Sequence, residues 1–324
     1  MSVINDTNIK TILAQCEGNT GGKECKVEFE GNFIICFPPF TLINSKIIFR
    51  GKNNILYIDK DVIIAESVLN FDGDNSVIFL GSSSRQYKLS LTIRYNSYAY
   101  FGKNCSFNGL LRCILSEERN IFIGNDVMFS VGIWLRISDP HLIYDSFTHT
   151  RINPTKSIYI GDHVWVGQDV LILKDTYVGS GSILAARTVL SSKIVPSNSL
   201  YGGVPAKMLK TGIFWLRNSA HRFTSSETAK FQKKYSSEFV FEADGKQLDF
   251  EKLEHALNNL STATQKLEYL KGIHNNTDKN RFFIEQASPD SQKSYSPLNE
   301  KTHNEVKAKT SEGSILKRML DFLF

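Results

Sequence analysis

Cysteine is scarce and unpatterned in this 324-residue chain: Cys16, Cys25, Cys36, Cys105 and Cys113 form an odd set at irregular spacings, without a C-x-x-C pair. That argues against a zinc knuckle and against a disulfide framework; reduced, partly buried thiols in a cytoplasmic protein are expected. No run of about 18 apolar residues exists, so no membrane span is expected. Met1 to Gln15 lacks a basic stretch followed by an apolar one, so no secretory leader is expected. Lys plus Arg is 38 against 33 Asp plus Glu, a net charge of only +5. These cations form no dense run, which disfavours nucleic acid as a partner. No Ser or Cys sits in a nucleophile motif, so covalent catalysis has no candidate.

What the chain does have is a repeat. Stepping by six from Ile160 gives Val166, Ile172, Val178, Leu184 and Leu190, all aliphatic. The next residue is often small: Gly161, Gly167, Gly179, Ala185, Ser191. Four places after each aliphatic stands a small or β-branched residue: Val164, Val170, Thr176, Ser182, Thr188, Ile194. A helix of period 3.6 cannot keep a six-residue step on one face, and a flat strand needs no recurring glycine. Short strands joined by tight turns satisfy both constraints. Three hexapeptides then close one triangular coil of about 18 residues in a parallel β-solenoid.

The pattern recurs less cleanly upstream, at Ile58–Val62, Ile64–Val68, Phe101–Cys105 and Ile123–Val127. Out-of-register stretches near 82–87 and 116–119 read as loops at coil corners. The organisation expected is a lead-in over 1–33, a solenoid over 34–210, a helical appendage over 211–285, and a flexible linker with a short amphipathic helix over 286–324. The appendage rests on helical spacing of Leu253, Ala256, Leu257, Leu260, Leu267 and Leu270. In the tail, Ile315, Leu316, Met319, Leu320 and Leu323 share one face. Residues 139–157 interrupt the repeat, and long loops inside compact domains are usually functional or disordered.

Four blocks carry a family resemblance: Ser138-Asp-Pro-His141-Leu-Ile-Tyr-Asp145, Arg151-Ile-Asn-Pro154, Ile160-Gly-Asp-His-Val-Trp165-Val-Gly-Gln and Gly202-Gly-Val-Pro205-Ala-Lys207. Together they resemble the hexapeptide-repeat O-acetyltransferases, and among these the enzymes that acetylate capsule and lipopolysaccharide sugars, including sialic acid O-acetyltransferases. The resemblance is specific from Ser138 to Lys210, architectural before that, and absent beyond. It implies an all-β solenoid, a left-handed parallel β-helix, bearing the C-terminal α-helical appendage. It also implies acetyl-CoA as co-substrate, a sugar or polysaccharide acceptor, and a homotrimer with sites in the grooves between solenoids. A cytoplasmic location is expected, peripheral at the inner membrane if the tail docks on a membrane-associated polysaccharide assembly complex.

The chemistry agrees. A sugar hydroxyl needs a base within hydrogen-bond reach as it attacks a thioester, and histidine has a suitable pKa. The resemblance assigns that base to His141. Asp139 or Asp145 could fix its tautomer, with Asp139 preferred. The resemblance places Trp165 beside the thioester arm. Pantetheine suits exposed backbone groups at the Gly167 and Ala185 turns. Lys193, Lys207 and Lys210 suit the nucleotide phosphates. Arg187 departs from the small residue of related sequences and either adds a phosphate contact or alters the corner. Trp134 is read as structural. His141, His149 and His163 raise a rival, a three-histidine zinc site of the carbonic anhydrase kind. But His163 belongs to the Gly-Asp-His-Val-Trp block, and the terminal G-x-P-A-K block has no part in zinc chemistry, so no metal is expected. An N-acetyltransferase acting on an amino sugar is the other alternative, and a non-catalytic scaffold would not need the histidine loop.

Overall fold

The computed structural model describes residues 2–286 apart from 6, 15, 17–22, 39, 234 and 237. Residues 1–284 form one compact unit, and of the remainder only Glu285 and Gln286 are described. The linker and tail helix expected over 286–324 therefore lie almost wholly outside the described residues.

The chain winds as a left-handed parallel β-helix with three faces. Face A stacks eight strands, from Ser2–Asn5 to Val189–Leu190; face B stacks nine, from Cys25–Phe29 to Lys193–Val195. Face C stacks six, from Ser106–Phe107 to Lys207–Thr211, above a pair formed by Thr41–Ile43 and Ile63–Ala65. The six-residue step explains the geometry. Ile160 and Val178 point inward from face B, Val166 and Leu184 from face C, Ile172 and Leu190 from face A, and all six are 0% exposed. The corners must be narrow where coils stack. A Cβ on Gly161 would lie 2.8 Å from the Ser180 backbone nitrogen, and one on Gly167 would lie 2.7 Å from the Leu184 carbonyl oxygen.

The upstream coils are longer. Leu69, Leu91, Cys113 and Leu135 stack in register on face A with 22 residues per coil, against 18 in the last coils. The additional residues sit at the corners, which is why the hexapeptide step blurs there. At the top, Gly203 (φ +96°) helps reverse the chain, so that Lys207–Thr211 returns antiparallel along Ser199–Gly202. At the bottom, one sequence expectation is corrected: Cys16 and Cys25 form a disulfide. Helix α1 (Ile9–Ala14) leads Cys16 back to the start of the strand Cys25–Phe29, with Cα atoms 5.8 Å apart, within bridging range. An odd cysteine count had concealed a single local bridge. Cys36, Cys105 and Cys113 are buried free thiols.

After the solenoid come helices α2 (Ser225–Phe231), α3 (Phe250–Asn258) and α4 (Ala263–Asn275). Asp249 caps α3, accepting from the Glu251 and Lys252 amides, and Thr262 with Gln265 forms a capping box on α4. Helix α2 buries nothing, whereas α3 and α4 lay their apolar stripes on the outside of face B. There the outward residues Tyr57, Phe79, Tyr100, Phe122, Tyr159 and Tyr177 lie in one register column. Their ring centroids are 4.2–6.1 Å apart, and Phe250, Leu253, Leu257, Leu267, Leu270 and Phe282 cover them. The protein thus has a second core, outside the coil.

Candidate active site

The interrupting loop leaves the corner between faces A and B, between the strands Trp134–Arg136 and Ile158–Ile160. It folds as a small hairpin: Tyr144 pairs with Arg151, and the Ile152 amide donates to the Ile143 carbonyl at 2.9 Å. Asp145, the second acid weighed for the tautomer role, closes the turn instead. It accepts from the amides of Phe147 (2.9 Å) and Thr148 (2.7 Å). Glu117, from the same corner one coil below, takes Arg151 in a two-pronged pair at 2.9 and 3.1 Å and also accepts from the Thr155 hydroxyl. Those hydrogen bonds, with Arg151 foremost, hold the Glu117 carboxyl below its ordinary range.

His141 is exposed near the start of this hairpin, and its ring has no hydrogen-bond partner among the described residues. Asp139 is turned elsewhere: its Oδ2 accepts from Lys174 Nζ (2.5 Å) and Asn153 Nδ2 (3.1 Å). Burial opposes ionisation of Asp139, but these two hydrogen bonds together with the charges of Lys174 and Arg136 keep the carboxyl below its ordinary range.

The residues expected to meet the cofactor divide among several places. Gly167, Ala185 and Arg187 share the corner between faces C and A. Trp165 stands beside them on the strand Trp165–Val166, outward on face C and 38% exposed, in a column with Met128, Ile183 and Leu200. Lys207 and Lys210 lie on the exposed return strand added to face C. Lys193 stands apart, opening a face B strand at the same corner as the histidine loop. Trp134 faces outward on face A, 5.2 Å from the Arg112 guanidinium, in a column with Leu171 and Val189. Within one chain, therefore, His141 and the Gly167–Ala185 corner occupy opposite edges of face A.

His163 is not a site residue. It is 3% exposed, stacked between Trp215 and Phe239 at 4.1 and 4.3 Å. Its Nε2 donates to the Trp215 carbonyl at 3.0 Å and its Nδ1 meets the Asp126 carboxylate, which also accepts from Arg217. This cluster fastens the segment after the solenoid to the corner between faces B and C. The three histidines of the zinc reading are not gathered. Among the described residues no group of three or more His, Cys, Asp or Glu could hold a metal.

Sequence reasoning missed Asn153, Lys174 and Glu117, which shape the loop. The signal was present only as the Arg-x-Asn-Pro run, since the partners lie in other coils.

A left-handed parallel β-helix of this kind, interrupted by one long loop at a corner, is the architecture of the hexapeptide-repeat acyltransferase class. Similarity to known proteins agrees. The chain is 31% identical over 172 residues to a polysialic acid O-acetyltransferase of Neisseria meningitidis, a match covering 53% of this chain and 79% of that protein. It is 33% identical over 114 residues to a polysialic acid O-acetyltransferase of Escherichia coli O1:K1, covering 35% and 37%. The crystal structure of the polySia-specific acetyltransferase NeuO superposes with a TM-score of 0.54 at 31% identity, over 62% of this chain and 94% of that one. No model of a protein family matches the sequence. The chain belongs to the hexapeptide-repeat O-acetyltransferases, alongside the polysialic acid O-acetyltransferases. It is an acyltransferase.

Proposed function

We propose that this protein transfers an acetyl group from acetyl-CoA to a hydroxyl of a surface-polysaccharide sugar of the capsule or lipopolysaccharide class, with sialic acid in polymeric form as the leading acceptor. The acceptor class rests on the polysialic acid relatives. His141 is the general base, taking the proton of the sugar hydroxyl as oxygen attacks the thioester carbonyl, in a direct transfer without an acyl-enzyme. The observation that carries this reading is the anchored hairpin, which presents an exposed imidazole with neither nitrogen occupied.

The cofactor reading follows the C–A corner. Pantetheine lies along Gly167 and Ala185 with Trp165 against the thioester arm. Arg187, Lys207 and Lys210 meet the phosphates from one chain, and Lys193, at the other edge of face A, meets them from the neighbouring chain. His141 and this corner are at opposite edges of face A, so a second copy set beside the first supplies one site with both. That supports a homotrimer with sites between chains. Face B is already covered by α3 and α4, which leaves faces A and C for the contact. No helix among the described residues is long and apolar enough to cross a membrane. A cytoplasmic enzyme, peripheral at the inner membrane, is the location this reading takes.

Thiol release from acetyl-CoA, with oligomeric sialic acid as acceptor, tests the reading. His141→Ala is expected to lower turnover by about 10² to 10⁴ while acetyl-CoA binding persists. An unchanged rate removes His141 as base, acetylation of amines alone overturns O-transfer, and a monomeric mass in solution overturns the trimer.

A further inference from the structure

The hairpin carrying His141 is built around one buried amide. Asn153 is 5% exposed although it sits in a loop. Its Nδ2 donates to the His141 carbonyl at 2.8 Å and to Asp139 Oδ2 at 3.1 Å. Its Oδ1 accepts from the Ile143 amide at 2.9 Å and from Arg151 Nε at 3.4 Å. Two donors and two acceptor positions are all that a carboxamide has, and all are used. The orientation is unambiguous, because a flipped amide would set its oxygen against a carbonyl and a carboxylate and its NH2 group against an N–H and a guanidinium.

These partners are not scattered. Asp139, His141 and Ile143 are alternate residues of the segment that carries the imidazole, so one side chain grips that segment at three points. Asn153 is also where the loop's two external anchors meet. Arg151 is held by Glu117 from the coil below, and Asp139 by Lys174, which directly follows the strand Leu171–Leu173 that stacks on Trp134–Arg136 from the coil above. The imidazole itself has no hydrogen-bond partner among the described residues, so its placement depends on its backbone. A misplacement of about 1 Å can cost about 10²-fold in rate.

We propose that Asn153 is the positioning residue for His141, fixing the backbone from Asp139 to Ile143 so that the imidazole projects to one place beside face A. No side chain of similar size does the same. Aspartate at 153 would set a second carboxylate against Asp139 and lose the donation to His141; leucine would leave the His141 carbonyl and the Ile143 amide without this partner. The inference rests on His141 being the base.

The test uses the full-length protein with acetyl-CoA and sialic acid oligomers, and compares Asn153→Ala, Asn153→Asp, Asn153→Ser, His141→Ala and the double variant Asn153→Ala/His141→Ala. Asn153→Ala and Asn153→Asp are expected to lower kcat about 10- to 100-fold with KM for acetyl-CoA unchanged. Asn153→Ser, which keeps a short donor and acceptor, should fall between them and the parent, and carries the test if the larger changes prevent folding. In the His141→Ala background Asn153→Ala should have no further effect, because it acts through the imidazole already removed. Full kcat in the Asn153 variants while His141→Ala is inactive overturns the inference alone. An equal loss from Asn153→Ala in both backgrounds, or a rise in KM for acetyl-CoA matching the fall in kcat, shows a general structural role and also overturns it. Full activity of His141→Ala overturns the base assignment, and the inference with it.

Discussion

Faces A and B of the solenoid share inward chemistry, yet their outward residues differ in kind. On face B, Tyr57, Phe79, Tyr100, Phe122, Tyr159 and Tyr177 stack into a ladder that α3 and α4 cover completely enough to bury Phe79, Tyr100, Phe122 and Tyr159 to 0% exposure. The rim of that cover is polar and paired: His274 bridges Asp59 and Tyr100, Glu254 accepts from Ser157, and Arg281 takes Asp162. On face A, the outward column Arg112, Trp134, Leu171 and Val189 is covered by no helix among the described residues, and Trp134 is 37% exposed. The inward register is the same on both faces, so the coil does not decide which is sealed; the outward side chains do. Face B is committed to the protein's own stability, and face A, with the histidine loop at one edge and the Gly167–Ala185 corner at the other, is the face on which the proposed trimer would rest.

This division can be broken most forcefully at Arg281. Its guanidinium is 1% exposed, meets both Asp162 oxygens at 2.8 and 2.9 Å, and donates to the Ile273 and Asn276 carbonyls. Arg281→Met leaves the Asp162 carboxylate buried and uncompensated, a loss of about 3–5 kcal/mol. Urea midpoints should fall accordingly, and Asp162→Asn in the same chain should recover part of the loss; an unaffected midpoint would mean the appendage is not held there. The paired comparison is Phe122→Ala against Trp134→Ala. Phe122 stacks on Tyr100 at 4.5 Å and abuts Phe282, so its truncation costs about 3–5 kcal/mol. Trp134→Ala removes a half-exposed ring and should cost the protomer about 1 kcal/mol or less, with its larger effect on association measured by solution mass. Equal losses of protomer stability would erase the distinction between the faces.

The sequence made one part of this plain and hid another for physical reasons. From Ile160 to Leu190 each hexapeptide puts one aliphatic inside each face in turn, so spacing alone reports the fold. The aromatic ladder obeys a register just as strict, but its members are separated by 21 or 22, then 37, then 18 residues as corners lengthen and the loop intervenes, so no fixed period exposes it. His141 stood out as a candidate because its loop breaks the repeat and resembles a known block. Asn153 did not, since an asparagine before a proline is ordinary in sequence, and its four bonds exist only once the hairpin closes. Asp139 was read as the partner of His141 because it is near in sequence. The competing cation, Lys174, arrives from the next coil.

Arg187 is the mildest test and the one that best separates fold from function at the uncovered edge. It sits at the corner between faces C and A with φ +59°, above Asp169 (φ +56°) and Gly132 (φ +75°) in the same turn position. Its amide donates to the Gln168 carbonyl of the neighbouring coil at 2.7 Å, a bond any residue but proline could make. Left-handed backbone costs an arginine about 1 kcal/mol that glycine would not lose. The side chain gives little back to the fold: it is 84% exposed and only 3.8 Å from Asp169, a surface pair of small worth. Under the proposed cofactor reading, this exposed cation, which the fold itself uses little, meets the anionic end of acetyl-CoA. Arg187→Gly should therefore raise thermal stability slightly while raising KM for acetyl-CoA about tenfold, the loss of roughly one charge-assisted hydrogen bond. Arg187→Lys, which restores charge and not geometry, should recover part of the affinity and none of the stability. An unchanged KM in Arg187→Gly would take Arg187 out of the cofactor site and leave its strain without a function.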